Sequence, residues 1–343
     1  MKAMILAGGM STRLYPLTRQ VPKPLVPLAG EAISAHLMRW LRSFGIEEIA
    51  INVHYLADAI KERFGDGAAY GVKLTYLDEA TLMGSAGSVK AMQWFFGTEP
   101  FVVVGCDDLT DANLDSLVQF HKKQNALATI GLVRAEEVDQ YGVVVTDKDG
   151  RIVEFQEKPP KGTERSKLVN TGIYVFNSGI FDRIPANTFY DFGKNVFPAL
   201  QAENAAFYGL QLSGAYWRDI GTLDEYRRAT NDVLSGKITL RGVMARGISA
   251  DAHLGNDAHI DGDVRIGAGV QFGNRVHVVG PSVIGDGVKI GDDALVERSI
   301  LWDGSSVGAR AIVRDSVVGI GYDIAADITL VDQIVANGEP VAS

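Results

Sequence analysis

Residues 260–291 read IDGDVRIGAGVQFGNRVHVVGPSVIGDGVKIG. Stepping by six from Ile248 lands on Leu254, Ile260, Ile266, Phe272, Val278, Ile284, Ile290 and Val296, all apolar. Four residues after each stop stands a small or β-branched side chain in nearly every case, from Ala252 and Ala258 through Val264, Val270, Val276, Ser282, Val288 and Ala294 to Ile300. Neither the helical period nor the plain alternation of a strand makes this pattern. A sustained hexapeptide period marks a parallel β-helix whose six-step residues point inward and stack. Glycine follows the six-step residue at Gly255, Gly267, Gly273, Gly285 and Gly291, and reads as a corner residue between short strands. The phase slips near Trp302 and resumes at Val307 and Val313, and the tail after Ala326 reads as a loose cap. Residues 245–326 therefore form one domain.

The chain before the repeat has a different rhythm. Apolar, β-rich runs at Met1–Leu6, Ile49–Val53, Leu74–Leu77, Phe101–Val104 and Thr129–Val133 alternate with helical patterns at Ser34–Phe44, Leu56–Phe64, Ala86–Phe96 and Leu114–Gln124. Continuous apolar strands separated by helices predict a mostly parallel sheet covered on both faces, an α/β domain over residues 1–236. Hairpin-like pieces follow at Gly142–Thr146 and Ile152–Gln156, then strands at Gly172–Phe176 and Ala206–Leu212 and a helix at Leu223–Leu234.

The whole chain has 343 residues, 46% hydrophobic and 22% charged, with a formal net charge of −9. That composition excludes wholesale disorder and argues against a broad nucleic-acid or anionic-membrane surface. A single cysteine, Cys106, excludes an intrachain disulfide framework and a multi-cysteine zinc site and suits a cytoplasmic setting. No apolar run reaches the ~18 residues of a spanning helix, and the N-terminus reads as a strand rather than a signal peptide.

Two short segments carry candidate chemistry. Leu6-Ala7-Gly8-Gly9-Met10-Ser11-Thr12-Arg13-Leu14 lies where the first strand ends. Its glycines let backbone N–H groups approach a phosphate or base, and Arg13 adds a planar fork suited to phosphate oxygens. Neither a P-loop nor the glycine fingerprint of a dinucleotide fold follows this strand. In Val21-Pro22-Lys23-Pro24-Leu25 two prolines predict a stiff, extended setting for one cation. Alone, the first segment could be a tight turn and Lys23 a surface lysine.

Together, GGMSTRLYPLT and PKPLVPLAG resemble the signature of the sugar nucleotidyltransferases, with Ser11 where that family often has glycine. The hexapeptide half is similar to the C-terminal domain of mannose-1-phosphate guanylyltransferases and of some glucose-1-phosphate nucleotidyltransferases. The resemblance implies a Rossmann-like, mostly parallel nucleotidyltransferase domain followed by a left-handed parallel β-helix of hexapeptide repeats. Glu79-Ala-Thr-Leu-Met83-Gly84-Ser85-Ala-Gly87 is similar to the family's nucleobase loop, with Met83 additional and Ser85 for threonine. Asp107 matches the metal-binding aspartate at a strand end, and Asp219, in Trp217-Arg-Asp-Ile-Gly221, matches the second. Glu157-Lys158-Pro159 and Asn170-Thr171-Gly172 match further motifs of the same family, in the family's order.

The resemblance gives these residues roles. Leu6, Ala7, Gly8, Gly9, Ser11, Thr12, Arg13, Glu79, Gly84 and Ser85 would bind the nucleotide. Gly142, Glu157, Lys158, Asn170 and Thr171 would hold the sugar phosphate. Asp107 and Asp219 would hold Mg²⁺, a hard ion that takes one or two carboxylates plus phosphate oxygens. Arg13, Lys23 and Lys158 would neutralise two polyanions brought together, and the attacking phosphate oxygen needs no general base. Bland alternatives exist for each piece: Asp107 and Asp108 could cap a helix, Asp219 could sit in a turn, and Glu157-Lys158 could end a solvated hairpin.

Glu79 speaks to the base. A carboxylate only accepts hydrogen bonds, and guanine offers adjacent N1–H and N2–H donors, so the expectation is GTP with mannose 1-phosphate. The alternatives are a glucose-1-phosphate nucleotidyltransferase using UTP, dTTP or ATP, a catalytically silent nucleotide-sugar sensor, and an acyltransferase built on the β-helix. The implied partners are an NTP and a hexose 1-phosphate, with no nucleic acid and no membrane, in a homo-oligomer formed through the β-helix.

Overall fold

The structure, a computed structural model, describes residues 1–337. It separates into two compact units: residues 1–10 with 34–219, and residues 11–33 with 220 onward.

The first unit is built on a nine-stranded sheet. Its parallel part comprises β1 (Lys2–Leu6), β2 (Glu48–Val53), β3 (Lys73–Asp78) and β4 (Phe101–Gly105). A further short strand, β5 (Asp108–Thr110), follows β4. Ala3, Met4 and Ile5 of β1 and Val102, Val103 and Val104 of β4 have no exposed surface, as a sheet covered on both faces requires. The helices α1 (Ile33–Arg42), α2 (Ala57–Phe64), α3 (Gly84–Ala91), α4 (Gln93–Phe96) and α5 (Leu114–Lys123) cover it. The single helix expected over Ala86–Phe96 is broken at Met92, where both Phe95 and Phe96 turn into the core and Phe96 stacks on Phe101 at 4.1 Å. Asn113 caps α5 by accepting the Ser116 N–H at 3.2 Å, while His121, Lys122 and Lys123 complement its C-terminal end.

The rest of the sheet holds β6 (Ala128–Arg134), β7 (Gly142–Thr146), β8 (Ile152–Glu157) and β9 (Leu168–Phe176), in antiparallel pairings, and β10 (Phe207–Gln211), which pairs parallel to β6. The strand expected at Gly172 begins four residues earlier, at Leu168; its register shifts between Asn170 and Tyr174, with Gly172 at φ 81°. Two elements carried no periodic signal, a π-helical turn at Phe192–Val196 and α6 (Phe197–Ala202). Their Phe192 and Phe197 complete an aromatic core with Tyr174, Phe176 and Phe207. A separate two-stranded ladder pairs β5 with β11 (Trp217–Asp219).

The second unit contains α7 (Leu223–Leu234), capped by the Thr222 hydroxyl accepting the Glu225 N–H at 3.2 Å, and a left-handed parallel β-helix of three sheets. Ile266, Phe272, Val278, Ile284, Ile290 and Val296 are all buried, as the six-residue step predicts, and stack in three columns, one per sheet: Ile266 on Ile284, Phe272 on Ile290 and Val278 on Val296. The first two stops are not: Ile248 is 45% and Leu254 41% exposed, because the first turn of the coil has a neighbour on one side only.

The slip at Trp302 has a geometric cause. Up to that point, stacked partners such as Arg275 and Asp293 are eighteen residues apart; afterwards, pairs such as Arg298 and Asp315 are seventeen apart. One corner is a residue shorter, so Leu301 takes the inward place and Trp302 donates its indole N–H to the Tyr226 hydroxyl of α7 at 2.8 Å. Beyond Ala326 the loose cap expected is replaced by regular coil: Thr329–Val331 pairs with Ile312–Arg314, and Ile334–Val335 with Val317–Val318.

The glycine that follows a six-step residue plays a different part from the one expected. Gly273 lacks positive φ; a Cβ there would lie 2.6 Å from the Asp292 backbone nitrogen of the next turn, so glycine answers close stacking. Left-handed corners fall to other glycines, Gly269, Gly287 and Gly304 among them, and to charged residues: Arg275, Asp293, Arg310 and Asp327 all have φ near 60°. They pair up the coil, Arg275 with Asp293 at 2.6 and 2.8 Å and Arg310 with Asp327 at 2.6 and 2.7 Å. A left-handed non-glycine residue costs ~1–2 kcal/mol, which such two-pronged pairs offset only in part. A buried column of Ser282, Ser299 and Ser316 also stitches successive turns through backbone N–H groups.

Candidate active site

Register brings the motif residues of the first unit to one sheet edge. Leu6 pairs with Gly105 and with Asn52, and Val53 pairs with Asp78. Ala7-Gly8, Asn52, Glu79 and Cys106–Asp108 therefore lie at the C-terminal ends of neighbouring parallel strands, where open α/β sheets bind ligands. At Gly8 a Cβ would stand 2.7 Å from Asn52 Nδ2, 3.2 Å from Glu79 Oε2 and 3.3 Å from Leu82, so a side chain would fill the space. Gly9 is exposed, with open surroundings.

A hydrogen-bond chain runs beneath these residues. The Ala7 N–H donates to Asn52 Oδ1 at 2.9 Å, Asn52 Nδ2 donates to Ser88 Oγ at 3.3 Å, and the Ser88 hydroxyl donates to Glu79 Oε1. Glu79 is buried, and its Oε2 accepts no hydrogen bond. Sequence reasoning passed over Asn52 and Ser88. The available signal was a polar residue closing the apolar strand Ile49–Val53, and a serine on the buried face of a helix.

Three aspartates converge at the neighbouring strand ends. The β5–β11 ladder sets Asp108 opposite Asp219. Asp108 is buried and accepts the Gly105 N–H at 3.1 Å and the Trp217 indole N–H at 3.0 Å. Burial first, then the charges of Asp107 and Asp219, push the Asp108 carboxyl well above the usual carboxylate range. Asp107 and Asp219 are half-buried. Asp107 and Asp108 cap no helix: Asp108 opens β5, and the next cap is Asn113.

Among the described residues, no group of three or more His, Cys, Asp or Glu side chains forms a metal cage. The donor set nevertheless suits Mg²⁺, which keeps several waters and commonly takes only one or two protein carboxylates. The excess negative charge felt by Asp108 is what a divalent cation would relieve.

The sugar-phosphate candidates form a second cluster in the same unit. Glu157 lies opposite Gly142, and its Oε2 would be 2.5 Å from a Cβ on Gly193 and 3.3 Å from one on Gly142. Glu157 is exposed, yet partial desolvation raises its pKa, opposed by Lys158 and reinforced by Asp191. Lys158 is exposed and left-handed, at φ 45°. Asn170 Oδ1 accepts the Gly172 N–H and its Nδ2 donates to the Tyr174 hydroxyl, both at 2.9 Å. Thr171 differs from the expectation. Its buried hydroxyl donates to the Gly131 carbonyl at 2.7 Å and accepts the Ile173 N–H at 3.2 Å, so it shapes the strand bulge from within.

Gly84 and Ser85 also face inward rather than toward an open nucleotide loop. A Cβ on Gly84, at φ 74°, would lie 2.5 Å from the Tyr190 carbonyl oxygen, which accepts the Ala86 and Gly87 N–H groups at 3.0 Å. Ser85 donates to Asp191 Oδ2 at 2.8 Å and accepts the Phe192 N–H at 2.9 Å. The first turn of α3 is thus capped by protein, and the base loop is braced against residues 188–192.

Ser11, Thr12, Arg13 and Lys23 belong to the second unit. Ser11 is left-handed at φ 53°, and its carbonyl accepts the Thr18 hydroxyl at 2.8 Å. Thr12 and Arg13 are exposed on the short turn that follows. Lys23 is only 8% exposed. Pro22 is extended, but Lys23 opens a 3-10 turn over Lys23–Leu25 rather than continuing the extended run.

The chain thus pairs an open α/β sheet, with carboxylates gathered at its strand ends, with a hexapeptide β-helix, and the family models give the class, a nucleotidyl transferase. The chain belongs to the nucleotidyl transferase family, among the sugar-1-phosphate nucleotidyltransferases: that family's model matches residues 2–236, and the model described as GMPPB C-terminal domain matches residues 244–341. It is 37% identical over 320 residues to a UTP–glucose-1-phosphate uridylyltransferase of Synechocystis, covering 87% of this chain and 82% of that one. To a mannose-1-phosphate guanylyltransferase of Mycobacterium tuberculosis it is 34% identical, covering 68% of this chain and 65% of that protein. A solved structure from Bacillus anthracis, described as a glucose-1-phosphate thymidylyltransferase in complex with a sucrose, superposes with a TM-score of 0.62 at 25% identity, covering 70% of this chain and 97% of that one. Among the described residues no helix is long and apolar enough to cross a membrane.

Proposed function

We propose that this protein joins GTP and mannose 1-phosphate, releasing pyrophosphate and GDP-mannose. A phosphate oxygen of the sugar 1-phosphate attacks the α-phosphorus. The bond from that phosphorus to the α,β-bridging oxygen breaks, and its electron pair leaves with pyrophosphate. The attacking oxygen is already ionised near neutral pH, which agrees with the lack of a histidine in these motifs. The observation that carries the reading is the convergence of Asp107, Asp108 and Asp219 at the ligand-binding edge of the sheet.

Asp107 and Asp219 would hold Mg²⁺, whose chemistry is to polarise the α-phosphate and neutralise charge on the departing group. Asp108, bonded to Trp217 and the Gly105 N–H, anchors the ladder that sets it opposite Asp219. Arg13 and Lys23 bind the triphosphate and the reacting phosphates, and Lys158 the sugar phosphate. Glu157, which lies opposite Gly142, and Asn170 accept and donate to sugar hydroxyls. Positioning and electrostatics account for most of catalysis in phosphoryl chemistry. In this reading residues 1–236 carry the reaction and residues 245–326 mediate self-association.

Glu79 favours a base that presents an N–H, and the match of the second family model supports guanine. A second reading, UTP with glucose 1-phosphate, is favoured by the Synechocystis relative, which aligns with 87% of the chain, and by the single free oxygen on Glu79. Pyrophosphate release with each NTP crossed against mannose and glucose 1-phosphates tests both. Fastest turnover of GTP with mannose 1-phosphate supports the first reading, a clear preference for UTP or dTTP replaces it, and no release with any pair favours a silent sensor.

A further inference from the structure

We infer that Ser88 and Asn52 are positioning residues for base choice: they occupy one oxygen of Glu79 and leave the other, beside Gly8, to accept from a nucleobase. The inference rests on the reading of Glu79 as the base acceptor. The residues come from three elements, Asn52 in β2, Ser88 in α3 and Glu79 just after β3, and are 4%, 1% and 6% exposed. Burial in one chain of hydrogen bonds fixes them together, because breaking any link leaves a desolvated polar group without a partner.

The direction of each bond follows from chemistry. The Asn52 oxygen takes the Ala7 N–H, so its nitrogen faces Ser88 and donates. The Ser88 hydroxyl then has one proton to give, directed to Glu79 Oε1, with the Gly84 carbonyl also within 2.7 Å. Glu79 Oε2 remains, without a partner, 3.2 Å from where a Gly8 side chain would begin. A single held oxygen selects on the ring nitrogen. Guanine N1–H and uracil or thymine N3–H donate to it, whereas adenine N1 and cytosine N3 turn a lone pair toward it and are repelled. Discrimination of this kind needs an acceptor that cannot rotate away. The same chain ends on the backbone of the glycine loop, so it ties the base acceptor to that loop.

The test measures the affinity of the full-length protein for GTP, UTP, ATP and CTP by calorimetry with Mg²⁺ and without sugar phosphate. Ser88→Ala removes the donor to Glu79. Asn52→Asp still accepts from Ala7 but competes with Glu79 for the Ser88 proton. Each variant is expected to weaken the preferred nucleotide and to narrow its margin over ATP and CTP about ten-fold, the size of one hydrogen bond to a charged group. A merely structural role would lower the melting temperature and weaken all nucleotides alike. Glu79→Gln separates the two levels of the argument. If Glu79→Gln changes the nucleotide ratios while Ser88→Ala and Asn52→Asp keep those of the parent, the positioning inference is wrong and the base reading stands. If all three keep the parent ratios, both are wrong. Should Ser88→Ala fail to fold, Asn52→Asp decides.

Discussion

Trp217 donates its indole N–H to Asp108 at 3.0 Å and to the Thr171 carbonyl at 2.9 Å, tying the β5–β11 ladder to the bulge of β9. One ring thus joins the acidic strand ends to the strand that carries Asn170. Because both Asp108 carboxyl oxygens accept an N–H, Asp108→Asn, whose amide nitrogen cannot accept, should lose about 1 kcal/mol. Asp108→Ala leaves the Gly105 N–H without its acceptor and costs about 2 kcal/mol. Urea unfolding ranks the two variants; a larger loss for Asp108→Asn than for Asp108→Ala would mean that these two hydrogen bonds do not hold the ladder.

Asp107 and Asp219 differ from Asp108 in being half-buried and able to meet a cation. Asp107→Asn and Asp219→Asn should each lower kcat at least ~100-fold, the scale of losing one transition-state electrostatic contact. Pyrophosphate release should also stop when a chelator strips divalent ions and return on adding Mg²⁺. Activity retained in both variants would refute the metal assignment.

Gly193→Ala probes the proposed sugar pocket. The new Cβ would fall 2.5 Å from Glu157 Oε2, the far end of a flexible side chain that can swing aside. Stability should change by less than about 1 kcal/mol, while the KM for the sugar 1-phosphate rises and that for the NTP stays put. Steady-state kinetics with each substrate varied in turn reads the split.

The pieces with a period or a motif were legible in sequence. Hydrophobic runs placed β1 to β4 within a residue or so, and the six-residue step gave the inward-facing residues of the β-helix from Ile266 to Val296. What escaped was set by partners distant in the chain. Phe192 and Phe197 belong to no periodic segment and earn their place only by stacking with Tyr174, Phe176 and Phe207. Thr171 and Ser85 looked like ligand-facing hydroxyls because sequence cannot show that Gly131 and Asp191 already engage them. Asn52 and Ser88 went unnoticed for the same reason: their meaning lies in contacts that span up to 45 residues.

The β-helix offers a test of what its glycines do. Gly273→Ala would place a Cβ 2.3 Å from Asp292 Oδ1 and 2.6 Å from the Asp292 nitrogen, and the backbone of the next turn must move. Gly269, at φ +63°, has nothing within 4 Å of such a Cβ, so Gly269→Ala meets only conformational strain. That strain is about 1 kcal/mol, and overpacking costs up to about 3 kcal/mol. Gly273→Ala should therefore be the more damaging by thermal or urea unfolding. The reverse order would mean that φ, not space, fixes glycine at that position of the repeat.

His121 gives the first unit an acid-sensitive element. It is buried on α5 with Nδ1 2.9 Å from the Thr129 hydroxyl, and burial pushes its pKa from 6.5 down to about 4. Between those values the unfolded chain binds a proton that the folded protein does not, so stability falls as pH drops through the window. Above 6.5 both states are neutral at this site and the contribution is fully present. His121→Gln, which cannot take up that proton, should flatten the fall in melting temperature between about pH 7 and about pH 5. A variant with the parent's slope over that range would show that other groups set the acid limb.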